Sequence, residues 1–71
     1  MNYILVTRTY PHCANCTAAK RNLTRKGISF TEVDISEIDH NGLTIRTIPA
    51  IFSEKISNET FLGGVDYVRS L

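Results

Sequence analysis

The sequence predicts an α/β fold in which a four-stranded mixed sheet is flanked by helices. Three observations lead to this prediction. An apolar run over residues 2–7 fits a buried strand, a helical apolar pattern follows it directly, and two short apolar runs near the end of the chain fit a hairpin. A chain of 71 residues is the size of one domain, so we expect a single domain over residues 1–71.

The first half of the chain is expected to form a strand–helix–strand unit. The run at residues 2–7 is continuous, as in a central strand, and a helix from Cys13 to Gly27 follows it. The buried face of this helix is expected to carry Cys16, Ala19 and Leu23. Residues 28–35 predict the second strand, where the apolar positions change parity and indicate either a bulge or burial on both faces. Such a unit is right-handed, with parallel strands.

The second half predicts a short middle helix, a hairpin and a terminal helix. Ser36 and Asp39 have the spacing of a capping pair, although Asn41 and Gly42 interrupt the helix that they would open. Residues 50–53 follow Pro49 and predict the third strand, residues 54–59 a turn, and residues 60–62 the fourth strand. The residues expected to pack the terminal helix are Val65, Val68 and Leu71.

The composition of the chain argues against two classes of protein, those that bind nucleic acid and those that associate with membranes. The formal net charge is +1 and no basic stripe with interleaved aromatic residues is seen, which argues against nucleic acid as the main partner. No apolar run has the length of a membrane span, and the start of the chain lacks the pattern of a signal peptide, so we expect a cytoplasmic protein without a membrane partner. In that compartment a lone C-x-x-C pair is more often catalytic or metal-binding than structural.

The two cysteines, Cys13 and Cys16, are placed where the first strand gives way to the first helix. The start of a helix favours an anion, which lowers the pKa of a thiol there from its usual value of about 8.5. We therefore expect Cys13 to be the exposed nucleophile, with Arg8 and His12 as nearby positive charge, and Cys16 to be the more buried resolving thiol. The alternative is a pair of core cysteines that never react.

Three segments together resemble a small glutaredoxin of the thioredoxin superfamily, close to the redoxins that supply electrons to ribonucleotide reductase. They are the Cys13-to-Cys16 motif, the tripeptide at residues 47–49, and the Gly-Gly-Val-Asp segment at residues 63–66. The resemblance implies a minimal thioredoxin-like fold and a glutathione-linked dithiol–disulfide oxidoreductase. It implies glutathione as co-substrate without a tightly bound cofactor or metal, disulfide-containing client proteins, among them ribonucleotide reductase, and a monomer.

The resemblance also implies a binding site. Ile48 would offer its backbone groups to the substrate beside Thr47, and the Ile48–Pro49 bond would be cis. The segment Gly64, Val65 and Asp66 would hold the γ-glutamyl end of glutathione, although Asp66 alternatively caps the terminal helix. Further candidates for this site, each also explicable as a surface or core-edge residue, are Arg8, Tyr10 and Arg46.

The chain departs from the family between its cysteines, where Ala14 and Asn15 replace the usual proline and aromatic residue. This departure leaves open a redoxin that takes electrons from thioredoxin reductase, and a module that binds glutathione and an iron–sulfur cluster. A zinc site would need His12 and His40 beside the two cysteines, and His40 has no second histidine at ligand spacing. A protein-interaction domain without catalysis is the remaining alternative.

Overall fold

A computed structural model describes residues 2–9, 13–38 and 48–71, and its secondary structure has the predicted α/β arrangement. The strands are β1 (Tyr3–Thr7), β2 (Phe30–Asp34), β3 (Ala50–Ser53) and β4 (Phe61–Gly63). The helices are α1 (Ala14–Arg25) and α2 (Val65–Ser70). Two short 3₁₀ turns lie at Ile35–Glu37 and Asn58–Thr60. Among the described residues, no helix is both long enough and apolar enough to cross a membrane.

The sheet is mixed, and its strand order is β2-β1-β3-β4. β1 is parallel to β2 and antiparallel to β3, and β3 is antiparallel to β4. The predicted parallel unit and the predicted hairpin are therefore both confirmed. The continuous apolar sequence of β1 has a direct cause: this strand is central, and its successive side chains enter apolar clusters on opposite faces of the sheet.

Two apolar clusters hold the fold together. On the helical face, α1 and α2 pack against β1 and β3, and the fully buried members are Leu5, Ala19, Leu23, Ile51 and Val68. On the opposite face the fully buried members are Val6, Ala50 and Phe52. As predicted, the buried residues of α1 are Cys16, Ala19 and Leu23. The dithiol thus lies at the start of a helix that is packed against the sheet.

The parity change in the second strand is explained by burial on both faces. Phe30 packs against the cluster on the helical face, whereas Ile35, directly after β2, packs against the opposite cluster. The pairing of β1 with β2 runs without interruption from Tyr3 opposite Phe30 to Thr7 opposite Asp34. No bulge therefore interrupts this pairing.

The predicted capping pair is wrong in its first member. Asp34 is the N-cap of the Ile35–Glu37 turn, because its carboxylate accepts a hydrogen bond from the Ser36 N–H at 3.0 Å. A carboxylate two residues ahead of an N–H reaches it readily, so Asp34 takes the position that we had expected for Ser36. Asp39, Asn41 and Gly42 lie outside the described residues.

Lys26 connects the ends of the two helices. Its Nζ donates hydrogen bonds to the main-chain oxygens of Val68 at 3.1 Å, Arg69 at 2.7 Å and Leu71 at 2.7 Å. The last carbonyl groups of a helix have no partners within it, and a cation there complements the helix dipole. Lys26 thereby fixes α2 against the end of α1.

Gly63, the last residue of β4, allows the close approach of α2. Its φ is +152°, and an added Cβ would lie 2.8 Å from the Cβ of Tyr67. We expect Gly63→Ala to lower the free energy of unfolding by about 2 kcal/mol, because both the backbone and the contact oppose a side chain. Urea denaturation measures this change.

Gly27→Ala is the matched control. Gly27 also has a positive φ, +71°, but nothing lies within 4 Å of an added Cβ. We expect this variant to lose about 1 kcal/mol, the cost of the left-handed backbone alone. Equal losses in the two variants would show that the contact with Tyr67 does not restrict position 63.

Candidate active site

Cys13 and Cys16 are joined by a disulfide across the first turn of α1, with their Cα atoms 5.2 Å apart. Both described cysteines are in this bond. Residues three apart on a helix are neighbours, which is why the spacing of the motif permits the bond. The structure therefore shows the oxidised state of a dithiol at the beginning of a helix.

Backbone donors at the start of α1 surround Cys13, which is the N-cap residue. It has an extended backbone, with φ −119° and ψ 104°, and the helix begins at Ala14. The Cys16 N–H donates to Cys13 Sγ at 3.2 Å, and the Thr17 N–H donates to the Cys13 carbonyl at 3.2 Å. An N–H that points at a sulfur favours the sulfur's anionic form. The same arrangement would stabilise a thiolate at Cys13 once the disulfide is reduced.

The expectation that Cys13 is exposed is wrong. Its relative exposure is 7%, close to the 3% of Cys16. The Cys13 sulfur is bonded to Cys16 and accepts a hydrogen bond from the Cys16 N–H, and the Ile48 carbonyl oxygen, from a distant part of the chain, lies 3.9 Å from it. Cys13 nevertheless belongs to neither apolar cluster.

The segment before β3 places a backbone carbonyl beside the reacting sulfur. The Ile48–Pro49 peptide bond is cis, as the resemblance implied. Ile48 is half-buried and packs on the sheet face opposite the helices, whereas Pro49 is fully buried. The packing of Ile48 and the burial of Pro49 hold the Ile48 carbonyl beside Cys13 Sγ.

A groove of about 390 Å³ lies beside the disulfide. We call it the substrate groove; the residues that line it are Asn15, Ile48, Pro49, Gly64, Val65 and Asp66. Five of these six were predicted from the sequence to bind the substrate, and they come from two segments far apart in the chain. Asn15 was not among those predicted. Its place between the two cysteines was the sequence signal that could have indicated this role. The structure shows that Asn15 is exposed in the first turn of α1.

Asp66 brings a carboxylate to the substrate groove. It is the second residue of α2, whose N-cap is Gly64, and the helix has no side-chain cap. Asp66 is therefore not the N-cap, but it is a helix-start residue in the first turn of α2, as the alternative to ligand contact predicted. Its side chain is 96% exposed, and Arg69 Nη1 lies 3.9 Å from Asp66 Oδ1. Such a surface contact is weak and leaves the carboxylate accessible to a ligand.

Four further candidates are placed elsewhere or not described. Arg8 is exposed after the end of β1 and is not among the residues that line the substrate groove. Tyr10, Arg46 and Thr47 lie outside the described residues, and their roles stay predictions.

The connection that leads from β1 toward Cys13 is anchored to the end of β2. The Asp34 carboxylate accepts hydrogen bonds from the Thr9 N–H at 2.9 Å and the Thr9 hydroxyl at 2.7 Å. The hydroxyl and N–H of Ser36 also donate to it. The Ser36 and Thr9 donors hold the pKa of Asp34 well below its usual range. This anchor is thus fully present above the ordinary pKa of an aspartate and is lost only as the pH falls through the lower folded-state value.

The carboxylate of Glu32 connects α1 to the sheet. The hydroxyl of buried Thr7 donates to Glu32 at 2.8 Å, and Lys20 Nζ lies 3.2 Å from the same carboxylate. The Thr7 hydrogen bond is the main cause of a lowered pKa at Glu32, and Lys20 adds to it. Lys20 is thereby held toward β2.

A family model described as Glutaredoxin matches residues 4–56. The chain belongs to the glutaredoxin family. The matched range includes the dithiol, β2, β3, all of β1 except Tyr3, and the cis-proline segment. It ends before α2, so the groove residues Gly64 to Asp66 are placed by the structure alone.

Solved structures agree with this assignment. The chain resembles the solution structure of glutaredoxin from Brucella melitensis, with 31% identity and a TM-score of 0.69, over 100% of this chain and 77% of that one. It also resembles the crystal structure of the holo form of glutaredoxin C1 from Populus tremula x tremuloides, with 26% identity and a TM-score of 0.66, over 96% of this chain and 70% of that one. No curated protein sequence gives a significant match.

Family membership and the redox-active pair identify the protein as a thiol–disulfide oxidoreductase that acts on disulfide-containing substrates. This glutaredoxin is therefore an enzyme, and the alternative of an interaction domain without catalysis is wrong. Within the part of the chain that the structure describes, no three His, Cys, Asp or Glu residues form a group that could hold a metal ion. His12 and His40, which a zinc site would need, lie outside that part.

Proposed function

We propose that this glutaredoxin is a glutathione-linked dithiol–disulfide oxidoreductase that reduces protein disulfides and glutathione mixed disulfides. One observation carries the proposal. The disulfide lies beside a groove that combines the Ile48 backbone, 3.9 Å from Cys13 Sγ, with the exposed carboxylate of Asp66. A tripeptide that carries both a thiol and an ammonium group matches these two features. The proposal needs a reducing compartment such as the cytoplasm.

The reduction of a client follows from the position of the two sulfurs. The Cys13 thiolate attacks one sulfur of the client disulfide and forms a mixed disulfide, and the other client sulfur leaves as a thiolate that takes up a proton. Cys16 then loses its proton and attacks the Cys13 sulfur, which releases the second client thiol and forms the bond seen here. Two electrons pass from the two cysteines to the client; Cys16 supplies one of the two protons, and the other comes from solvent, because Cys13 reacts as the thiolate.

Glutathione reverses this oxidation in two exchanges. One glutathione thiolate attacks Cys13, so that Cys16 leaves as a thiolate and is protonated. A second glutathione attacks the glutathione sulfur bonded to Cys13, which regenerates the Cys13 thiolate and releases glutathione disulfide. In the bound intermediate the glutathione backbone would lie along Ile48, and its ammonium group would face Asp66.

Asp66→Asn is expected to weaken the binding of glutathione mixed disulfides. The variant keeps the size of the side chain and removes the charge that would attract the ammonium group. We expect KM for a glutathione mixed disulfide to rise about three- to tenfold while kcat changes little, because the lost contact is a charged hydrogen bond at an exposed site. Steady-state kinetics with a small glutathionylated peptide measure the change.

Glu59→Gln is the matched control for this prediction. Glu59 is also exposed, but it lies in the turn before β4 and does not line the substrate groove. Its KM should equal that of the wild type. The same KM in all three proteins would remove Asp66 from the glutathione site.

The choice of reductant separates two forms of the proposal. The oxidised protein is incubated with NADPH and either glutathione plus glutathione reductase or thioredoxin reductase alone, and oxidation of NADPH is followed with a disulfide substrate. The proposal expects turnover in the glutathione system. Turnover with thioredoxin reductase alone would contradict it and favour the thioredoxin-reductase-dependent redoxin.

Ribonucleotide reductase is the client that we propose for the cellular reaction, because the resemblance extends to redoxins that serve it. The assay uses oxidised ribonucleotide reductase, the glutathione system and this glutaredoxin. Repeated turnover that depends on the glutaredoxin is expected. A single turnover, unchanged when the glutaredoxin is omitted, would contradict this choice of client.

A further inference from the structure

Although the net charge is only +1, the basic and the acidic residues are concentrated in different parts of the chain. Five of the eight Lys and Arg residues, and none of the seven Asp and Glu residues, occur in the first 31 positions. Three of those cations follow one side of α1 and line a second groove of about 410 Å³. We call it the basic groove; its lining residues are Thr17, Lys20, Arg21, Thr24 and Arg25.

Two of the three cations in the basic groove are available to a partner. Lys20 is paired with Glu32 at 3.2 Å. Arg21 and Arg25 are exposed, and neither has an ion-pair partner among the described residues. An arginine binds a carboxylate through two parallel hydrogen bonds. The basic groove therefore presents two unused carboxylate-binding groups.

The basic groove begins at the dithiol. Thr17, its first residue, directly follows Cys16, and Asn15, which precedes Cys16, lines the substrate groove. Thr17 also lies one helical turn after Cys13, and its hydroxyl donates a hydrogen bond to the Cys13 carbonyl at 3.5 Å, so the basic groove starts beside the reacting cysteine. With a rise of about 1.5 Å per residue, Arg21 and Arg25 lie about 8 and 14 Å along the helix from Cys16.

We propose that the basic groove binds an acidic segment of the client protein whose disulfide is being reduced. This inference rests on the proposed function, since it names the class of client that the same dithiol would serve. An extended chain advances about 3.3 Å per residue, so the acidic side chains would lie about two to four residues from the reacting cysteine of the client. Glutathione, held in the substrate groove, is too short to reach both arginines.

A polypeptide fits the basic groove better than a nucleic acid does. Single-stranded nucleic acids are bound by cations together with aromatic side chains on which the bases stack. Among the residues that the structure describes, no aromatic side chain lines the basic groove, and its two hydroxyl groups, on Thr17 and Thr24, suit polar peptide groups. The occupant is therefore an acidic peptide segment.

Two synthetic disulfide peptides test the proposal with the full-length protein. They differ only at positions three and four residues from the reacting cysteine, where one has Glu and the other Gln. We expect the Glu peptide to have a kcat/KM at least threefold higher in the glutathione assay. Arg21→Gln and Arg25→Gln should each lower kcat/KM for the Glu peptide about two- to fivefold and leave the Gln peptide unchanged. High salt should abolish the preference.

Lys55→Gln is the control variant. Lys55 is exposed after β3 and lies outside both grooves, so the preference for the Glu peptide should remain. Equal kcat/KM for the two peptides in the wild type, or a competing oligonucleotide that inhibits the Glu peptide as strongly as a Glu-rich peptide does, would overturn the proposal. A small glutathione mixed disulfide is assayed in parallel. Failure with that substrate would instead show that the proposed function is wrong.

Discussion

Cys13→Ser is expected to lower kcat/KM for every disulfide substrate by on the order of a thousandfold or more. The hydroxyl of a serine is a far weaker nucleophile than a thiolate, and the backbone donors around position 13 are too few to ionise it. In the folded protein the Cys16 N–H would still reach the new oxygen, as it reaches Cys13 Sγ at 3.2 Å, so α1 should keep its N-cap. The loss should therefore appear in kinetics, with an unchanged circular dichroism spectrum.

Cys16→Ser is the matched variant for the same experiment. It removes the thiol that attacks the Cys13 sulfur but keeps the sulfur that attacks the substrate. We expect glutathione mixed disulfides to be reduced still, since glutathione can clear Cys13 directly, whereas reduction of protein disulfides should stop at the mixed disulfide. Mass spectrometry detects that trapped species. Cys13→Ser with activity near the wild type would mean that Cys13 is not the nucleophile.

The local elements of this fold could be predicted because their signals are local. Cys13 directly precedes the helical apolar pattern, and Leu23 continues the buried face that begins at Cys16, so the start and the packing face of α1 follow from spacing alone. Residues 50–53 likewise form the strand that their apolar run predicts. In both cases the residues that determine the element lie within it.

The errors have a common physical origin. Whether Cys13 is exposed depends on neighbours such as Ile48, 35 positions away, and no spacing rule gives that contact. The strand pattern around Asp34 gives no sign that its carboxylate accepts hydrogen bonds from both Thr9 and Ser36. In the sequence Asn15 is only a departure from the family motif, whereas in the structure it lines the substrate groove. Tertiary contacts decide each of these three cases.

Phe52→Ala is expected to have the largest effect on stability. Phe52 is the largest of the fully buried side chains, and it packs on the sheet face opposite the helices. Truncating a buried phenylalanine to alanine costs about 3–5 kcal/mol, because apolar contacts are lost and a cavity remains. A domain of this length has a free energy of unfolding of roughly 4–11 kcal/mol, so the variant should lose a large part of its stability. Urea denaturation of the oxidised protein measures the loss.

Phe61→Ala separates this effect from the loss of an aromatic contact. The rings of Phe52 and Phe61 lie 5.5 Å apart at 58°, but Phe61 is 44% exposed on the edge strand β4. An aromatic pair contributes about 0.5–1.5 kcal/mol beyond burial, so Phe61→Ala should lose only about 1 kcal/mol. A loss as large as that of Phe52→Ala would show that the ring contact, and not the filled core beneath β3, stabilises this face. A small loss in both variants would mean that residues on this side of the sheet repack around the cavity. Such repacking would also affect the active site, because β3 directly follows the cis-proline segment that lies beside Cys13.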